Sequence, residues 1–131
     1  MIPTLNGIDH IHLYVPNREE AAVWYQETLG FSIVEDYRFW AKDIRGPLTI
    51  TDPSDRIHFA LFQREDPALS SHVAFGATGA EFLKWKEYLN NKGILDRLSD
   101  HTTMWSLYFH DPYGNNHEIT TGDYDVVAKA I

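Results

Sequence analysis

Apolar and polar positions alternate along the chain in two similar stretches, residues 8–31 and 71–94. Each stretch opens with an alternating segment that contains a histidine, which predicts a half-buried β-strand. A helical pattern follows, beginning at a capping residue, Asn17 or Thr78, with a glutamate three residues later. Each helix contains a tryptophan and ends before a glycine suited to a left-handed C-terminal position. The pattern therefore predicts two copies of one module.

Further alternating or apolar segments after each helix predict the remaining strands. They are Ser32–Arg38, Ile44–Ile50 and Arg56–Phe62 after the first helix, and Trp105–His110 and Asn116–Thr121 after the second. Each copy is then a helix followed by a short antiparallel sheet, and residues 123–131 form a short helix or tail. A repeat of this length exceeds a solenoid unit, so we interpret the chain as an α+β fold in which two small sheets share one core.

Composition narrows the class of protein. With 131 residues and 44% hydrophobic content, the chain is expected to form a single domain over residues 1–131. The formal net charge of −8, without a cluster of Lys or Arg, argues against a nucleic-acid partner. No apolar run is long enough to span a membrane, and the start of the chain lacks the pattern of a signal peptide. We therefore expect a cytoplasmic protein without a membrane partner.

The chain contains seven histidines and no cysteine, so any bound metal must be held by imidazole, carboxylate or water. Strand parity gathers several polar side chains on the sheet face opposite the helices. They are His10, His12, His58, His72, Tyr108 and Glu118. For any one histidine alone, a place on a solvated sheet face is the simpler interpretation. The combination of imidazoles with a carboxylate favours a site for a divalent metal with open positions for substrate.

Four segments carry a resemblance to a known family, and their order and spacing are specific together. They are Ile8–Val15, Trp24–Phe31, His72–Phe75 and Tyr108–Ile119. The chain resembles the vicinal oxygen chelate superfamily, which includes glyoxalase I, fosfomycin-resistance thiol transferases, bleomycin-binding proteins and extradiol ring-cleaving dioxygenases. The resemblance implies paired βαβββ modules, at about residues 5–64 and 70–122, forming a curved mixed sheet around a metal-binding cleft. It also implies a homodimer.

The resemblance further implies a metal-ligand set. Carried over by position, the ligands are His10, His72 and Glu118, and a small-molecule substrate completes the coordination. Iron(II) or manganese is the expected metal, with zinc or nickel as alternatives. A glyoxalase-type site would add a second carboxylate, but Ala60 stands nearest to that position.

Similarity to the extradiol dioxygenases implies two catalytic residues. His58 stands where those enzymes place a histidine acid/base, and Tyr108 stands where they place a tyrosine ten residues before the carboxylate. Fosfomycin-type transferases also match at Ser106, Tyr108 and Glu118, but the basic residues that they use around the oxyanion are missing here. Extradiol ring cleavage is therefore the most specific prediction.

Three hypotheses remain at this stage. The first is a metal-dependent enzyme acting on a small oxygen-chelating substrate, in its most specific form a ring-cleaving dioxygenase. The second is a lyase, isomerase or thiol transferase of the glyoxalase or fosfomycin-resistance type, in which the metal acts as a Lewis acid without dioxygen. The third is a metal-free binding protein of the bleomycin-resistance type, against which the ligand set argues.

Overall fold

The computed structural model describes residues 2–4, 6–65 and 71–131, which fall into two compact units, Met1–Leu69 and Ser70–Ile131. The first unit contains β1 Ile11–Val15, α1 Arg18–Leu29, β2 Ser32–Ile33, β3 Leu48–Thr51 and β4 His58–Gln63. The second contains β5 His72–Gly76, α2 Gly79–Asn91, β6 Arg97–Asp100, β7 Trp105–His110, β8 Asn116–Thr121 and α3 Tyr124–Ala130. Both units thus have the order βαβββ, which confirms the predicted α+β fold of paired modules.

Each unit has a four-stranded sheet with the same topology. The strand orders are β1-β4-β3-β2 and β5-β8-β7-β6. The first strand of each unit pairs in parallel with the last, β1 with β4 and β5 with β8, whereas the other pairings are antiparallel. The sheets are therefore mixed rather than purely antiparallel.

Local signals define the ends of the helices as predicted. The Asn17 side chain accepts a hydrogen bond from the Glu20 amide at 2.9 Å, and the Thr78 hydroxyl accepts one from the Glu81 amide at 3.2 Å. Gly30 closes α1 in the left-handed region with φ 76°, where a side chain would be strained. Over the described residues, no helix has the length and apolar character needed to cross a membrane.

Strand alternation places the core of each unit on one face of its sheet. In the first unit Leu13 on β1 and Phe59 on β4 are fully buried, and Tyr25 of α1 packs edge-on against Phe59. In the second unit the corresponding layer contains Leu107 and Ile119 beneath α2. Burial of such side chains is the main source of stability for each unit. The opposite face of each sheet is left for polar side chains.

The predicted strand Ser32–Arg38 is wrong beyond Ile33, because residues Glu35–Lys42 form a 3₁₀ helix. Side chains three apart are eclipsed in this conformation. Arg38 accordingly pairs with Glu35 at 2.8 Å, and Trp40 stacks on Tyr37 with 4.7 Å between ring centroids. These contacts between residues i and i+3 stabilise the 3₁₀ helix.

Two other strands differ from the expectation. The strand predicted at Ile44–Ile50 begins at Leu48, after a turn in which the Gly46 amide donates to the Asp43 carbonyl. Strand β6, Arg97–Asp100, is not predicted by the hydrophobic pattern, because Leu98 is its one apolar residue. It is an edge strand, where apolar alternation is weakest.

Arg18, the first residue of α1, anchors the segment that contains the 3₁₀ helix. Its buried guanidinium donates to the carbonyl oxygen of Ala41 at 2.9 Å, to that of Asp43 at 3.0 Å and to that of Gly46. These bonds cross from the helix to residues more than twenty positions later in the chain. Arg18 therefore orders the chain between the 3₁₀ helix and β3.

Replacing Arg18 with Met should lower the free energy of unfolding by about 2 kcal/mol, because three carbonyl oxygens lose a charged donor. Urea denaturation measures this loss. In hydrogen exchange, the amides of residues 41–46 should show the largest increase in exchange rate relative to the wild type. Arg45→Met is the matched control, since Arg45 makes an exposed pair with Asp43 and its loss should change the stability little. Equal losses in the two variants would contradict the anchoring role.

Candidate metal centre

Strand pairing in the second unit brings His72 and Glu118 together. Glu118 on β8 lies opposite Ala74 on β5, and His72 is two residues before Ala74 on the same face. The distance from His72 Nε2 to Glu118 Oε1 is 2.9 Å. On its other oxygen, Glu118 accepts a hydrogen bond from Ser106 Oγ at 2.7 Å. The carboxylate is therefore fixed on one side and directed toward the imidazole on the other.

Glu118 is held in its charged form. Burial, which leaves 16% of the side chain exposed, acts to raise the pKa of its carboxyl group. The hydrogen bonds from Ser106 and His72 outweigh that effect, so the pKa is lowered from its ordinary value. A carboxylate that is ionised at neutral pH and faces an imidazole is a suitable donor for a divalent cation.

The His72–Glu118 pair fits two positions of a metal's coordination sphere. Zinc and similar first-row ions take imidazole nitrogen and carboxylate oxygen at about 2.0–2.2 Å, which separates neighbouring donors by roughly 3.0–3.4 Å. The observed 2.9 Å between the two donor atoms is close to that separation. Binding a metal would replace one hydrogen bond with two coordinate bonds and needs little rearrangement of these side chains.

His10 occupies the equivalent position in the first unit. His12 on β1 lies opposite Ala60 on β4, as Ala74 lies opposite Glu118 in the second unit. His10 therefore corresponds to His72, and Ala60 corresponds to Glu118. In the first unit an alanine therefore stands at the register position that Glu118 has in the second.

Neighbouring side chains orient the His10 ring. Its Nδ1 lies 2.8 Å from Asp9 Oδ2, and its Nε2 lies 3.0 Å from His12 Nε2. The two imidazoles are stacked, with 5.0 Å between ring centroids. A carboxylate on Nδ1 favours the tautomer that leaves Nε2 able to bind a metal. His12 shares the polar face and stands beside this nitrogen.

His58, the predicted acid/base, begins β4 and lies in the same cavity as His10. The cavity measures about 150 Å³ and has three aromatic side chains in its wall, Tyr37, Trp40 and Phe62. His58 Nε2 lies 2.9 Å from Asp55 Oδ1. The structure therefore brings His10 and His58 together in the first unit, beside a surface suited to a flat apolar group.

A tight turn presents Asp55 to His58. Asp52 accepts hydrogen bonds from the backbone amides of Ser54, Arg56 and Ile57 at 3.2, 2.8 and 2.7 Å. Burial acts against ionisation of Asp52, but these bonds together with one from the Ser54 hydroxyl lower its pKa to about 2. Asp55 itself adopts the left-handed conformation with φ 57°. The charged Asp52 stabilises this turn.

Tyr108, the other predicted catalytic residue, lies opposite Glu118 on the neighbouring strand β7. Its hydroxyl lies 2.9 Å from His101 Nε2, and its ring centroid is 6.4 Å from that of His72. The structure therefore groups His72, Glu118 and Tyr108 in the second unit. Within each unit, as far as its residues are described, no set of three His, Asp or Glu side chains forms a complete metal cage.

Sequence reasoning missed one contributor to this face, Arg97. Ser106 holds Glu118, and Arg97 lies over the Tyr108 ring with 4.2 Å from its Cζ to the ring centroid. The parity of β7 places Ser106 on this face, whereas Arg97 lies on β6, which the hydrophobic pattern does not predict. His117 is buried between Phe75 and Phe109, and burial lowers its pKa to about 4. It belongs to the core.

Comparison with known proteins gives a family match and several structural relatives. Residues 7–119 match the family model described as Glyoxalase/Bleomycin resistance protein/Dioxygenase superfamily. A crystal structure of a glyoxalase family protein from Bacillus anthracis has 28% sequence identity and a TM-score of 0.69, covering 93% of this chain and 99% of that one.

Two structures with lower identity share the fold. Lactoylglutathione lyase from Agrobacterium tumefaciens has 20% identity and a TM-score of 0.71, covering 92% of this chain and 97% of that chain. A mutant of the fosfomycin resistance protein FosX from Listeria monocytogenes, in complex with Mn(II) and a dihydroxypropylphosphonic acid, has 14% identity and a TM-score of 0.72. That match covers 96% of this chain and 99% of FosX.

The turn at Asp52 predicts a pH dependence of stability. Because the folded pKa of about 2 lies below the ordinary 3.8, the unfolded chain binds the proton first as the pH falls. The stabilisation is therefore present above about pH 4 and is lost as the pH falls toward 2. Asp52→Asn should be less stable than the wild type at neutral pH and should show a shallower loss over that range.

Urea midpoints measured between pH 7 and pH 2 test this dependence. Asp36→Asn, which removes an exposed carboxylate from the 3₁₀ helix, is the matched control and should follow the wild-type curve. Parallel curves for Asp52→Asn and the wild type would contradict the role assigned to Asp52.

Proposed function

Because the chain belongs to the Glyoxalase/Bleomycin resistance protein/Dioxygenase superfamily, we propose that it is a divalent-metal-dependent enzyme acting on a small substrate that chelates the metal through oxygen. The observation that carries this proposal is the His72–Glu118 pair, with 2.9 Å between two donor atoms on the polar face of the second sheet. The superfamily includes enzymes, and one structural relative is named lactoylglutathione lyase.

The proposed ligand set is His10, His72 and Glu118. His10 is included because it occupies in the first unit the register position that His72 occupies in the second. We propose that both units act together in one domain and that the protein is a homodimer. The FosX relative was crystallised with Mn(II), which supports a divalent first-row metal. Manganese or iron(II) is the proposed ion, and zinc or nickel would also suit these donors.

A metal held by His10, His72 and Glu118 would supply Lewis-acid activation of the substrate oxygens. The protein's own side chains supply the rest. Tyr108 presents a hydroxyl beside Glu118, where it can hydrogen-bond a substrate oxygen, and His101 orients that hydroxyl. His58, paired with Asp55, can accept a proton from a substrate hydroxyl and return it later.

Extradiol cleavage of a catechol is the specific reaction that we propose. In this reaction one ring carbon–carbon bond beside the diol breaks, and both atoms of O₂ enter the product, so the substrate itself supplies the electrons. The aromatic wall around His10 and His58, formed by Tyr37, Trp40 and Phe62, supports a planar ring as substrate.

A Lewis-acid reaction without dioxygen is the second candidate. The group Ser106, Tyr108 and Glu118 favours it, since these side chains lie on neighbouring strands and can bind a polar, non-aromatic substrate. It would place the chain with lyases or thiol transferases. If the metal analysis described below finds no bound metal, a metal-free binding protein of the bleomycin-resistance type becomes the favoured function.

The wild-type protein, purified without an affinity tag and under anaerobic conditions, should contain about one divalent metal per chain. His72→Ala and Glu118→Gln should each lose most of that metal, because each removes one proposed ligand. Elemental analysis for iron, manganese, nickel and zinc measures the content, and circular dichroism checks the fold of each variant.

The matched control for the metal test is His110→Ala, which removes an exposed histidine of the same unit that pairs with Asp96. It should retain the wild-type metal content. Full metal retention in Glu118→Gln, or no metal in the wild type even after reconstitution, would contradict the proposed site.

His58→Gln should retain the metal and lose turnover by about 10²-fold or more, since general acid–base catalysis contributes at this scale. Oxygen consumption with catechols, followed with an oxygen electrode, measures turnover in the iron-loaded protein. His101→Gln is the comparison variant and should reduce turnover less. If the metal-loaded wild type takes up no oxygen, the proposed dioxygenase activity is contradicted and the Lewis-acid reaction is favoured. If His58→Gln loses the metal, His58 is a metal ligand and not an acid/base.

A further inference from the structure

A row of four side chains crosses the second sheet on its polar face. Ala74 on β5 lies opposite Glu118 on β8, Glu118 lies opposite Tyr108 on β7, and Tyr108 lies opposite Arg97 on β6. Residues directly opposite each other in a sheet project to the same side. The guanidinium of Arg97 therefore shares a face with the proposed metal ligand Glu118, with the Tyr108 ring between them.

Arg97 retains donors that can bind a ligand. Its Nε donates to Ser99 Oγ at 3.2 Å, and its Cζ lies 4.2 Å from the centre of the Tyr108 ring. Among the described residues, no carboxylate forms an ion pair with Arg97. The adjacent Asp96 instead contacts His110 Nδ1 at 2.7 Å. A guanidinium has five N–H donors, and stacking on an aromatic ring leaves those at its edge accessible.

Two other exposed arginines differ from Arg97 in this respect. Arg38 pairs with Glu35 at 2.8 Å, and Arg45 pairs with Asp43 at 3.2 Å. The chain has 19 acidic residues against 11 Lys and Arg, so carboxylates outnumber the basic side chains that could pair with them. An arginine that faces the proposed metal ligands without a carboxylate partner is therefore available to an anion from outside the chain.

Arg97 and His72 also line one hollow of about 420 Å³, together with Tyr108, Asn116 and Asp96, whose carboxylate is paired with His110. Neighbouring strands are spaced by about 4.8 Å, so two strand steps separate the Glu118 and Arg97 backbones by roughly 10 Å. Side chains that project from the same face keep about this separation, which a substituted benzene ring can bridge when it makes one bond at each end. The hollow can therefore accommodate a molecule that reaches from the proposed ligand His72 to the guanidinium.

We propose that Arg97 binds an anionic group of the substrate, so that the preferred substrate is an oxygen chelator with a carboxylate about one benzene ring away from its chelating oxygens. This inference rests on the proposed function, since the chelating end requires the metal. Arg97 is then a specificity-determining residue. A guanidinium can bind a carboxylate through two parallel hydrogen bonds, which adds orientation as well as affinity.

The test uses two probes that differ in charge but hardly in shape, 3,4-dihydroxybenzoate and 3,4-dihydroxybenzamide. Isothermal titration calorimetry of the manganese-loaded protein, under anaerobic conditions, measures the dissociation constant of each. Wild type should bind the benzoate at least about tenfold more tightly than the benzamide, as a charged hydrogen bond predicts. Arg97→Gln should abolish that difference and leave the benzamide affinity unchanged, while Arg97→Lys should retain part of it.

Lys129→Gln is the matched control, because it removes the same charge from an exposed position on α3. It should preserve the wild-type preference for the benzoate. A chain that binds no manganese would overturn the proposed function. A manganese-loaded chain that binds neither diol, binds both equally, or keeps its preference in Arg97→Gln would overturn the role of Arg97 and leave metal binding intact.

Discussion

The parallel pairing of the first and last strands in each unit is the constraint on which the candidate site depends. His72 and Glu118 are 46 residues apart in the sequence, yet the β5–β8 register places their donor atoms 2.9 Å apart. A shift of one residue in that register would move Glu118 to the core side of the sheet, because successive side chains of a strand point to opposite faces. The buried Ile119 opposes such a shift, since it would have to be exposed. Packing of the core therefore also sets the geometry of the polar face.

The parts of this arrangement that could be predicted from sequence are those set by local signals, which recur in both copies of the module. Asn17 and Thr78 identified both helices, because a cap is a local interaction between residues three apart. Strand parity also identified the polar face correctly, since His72, Tyr108 and Glu118 share it. The predicted strand Ser32–Arg38 overlaps the first four residues of the 3₁₀ helix, Glu35–Arg38, because contacts between residues i and i+3 are not visible in an alternating pattern. The hydrophobic pattern does not predict strand β6, because this strand is defined by its pairing with β7 and not by alternating apolar residues.

The two units present their functional groups by different physical means. In the second unit, regular strand pairing places Glu118, Tyr108 and Arg97 in one row. In the first unit, irregular chain segments complete the face, and polar interactions with the backbone order them: Arg18 donates to three carbonyl oxygens, and Asp52 accepts from three backbone amides. Such interactions join groups whose partners depend on tertiary structure. The periodicity of apolar residues does not reveal such interactions. The strand that contains His58 could therefore be predicted from sequence, but the turn and the 3₁₀ helix around it could not.

The net negative charge of the chain has opposite effects on the two ligands proposed for the polar face, the metal ion and the anionic substrate. An excess of eight negative charges attracts divalent cations and opposes the approach of anionic substrates. A site that bound a carboxylate-bearing chelator would therefore need positive charge placed locally, because the general field of the protein works against it. A metal held by His72 and Glu118 would supply that charge at one end, and Arg97 supplies it at the other. Stacking on Tyr108 keeps the guanidinium over the sheet, so specificity for an anion can arise within an acidic protein from a single side chain.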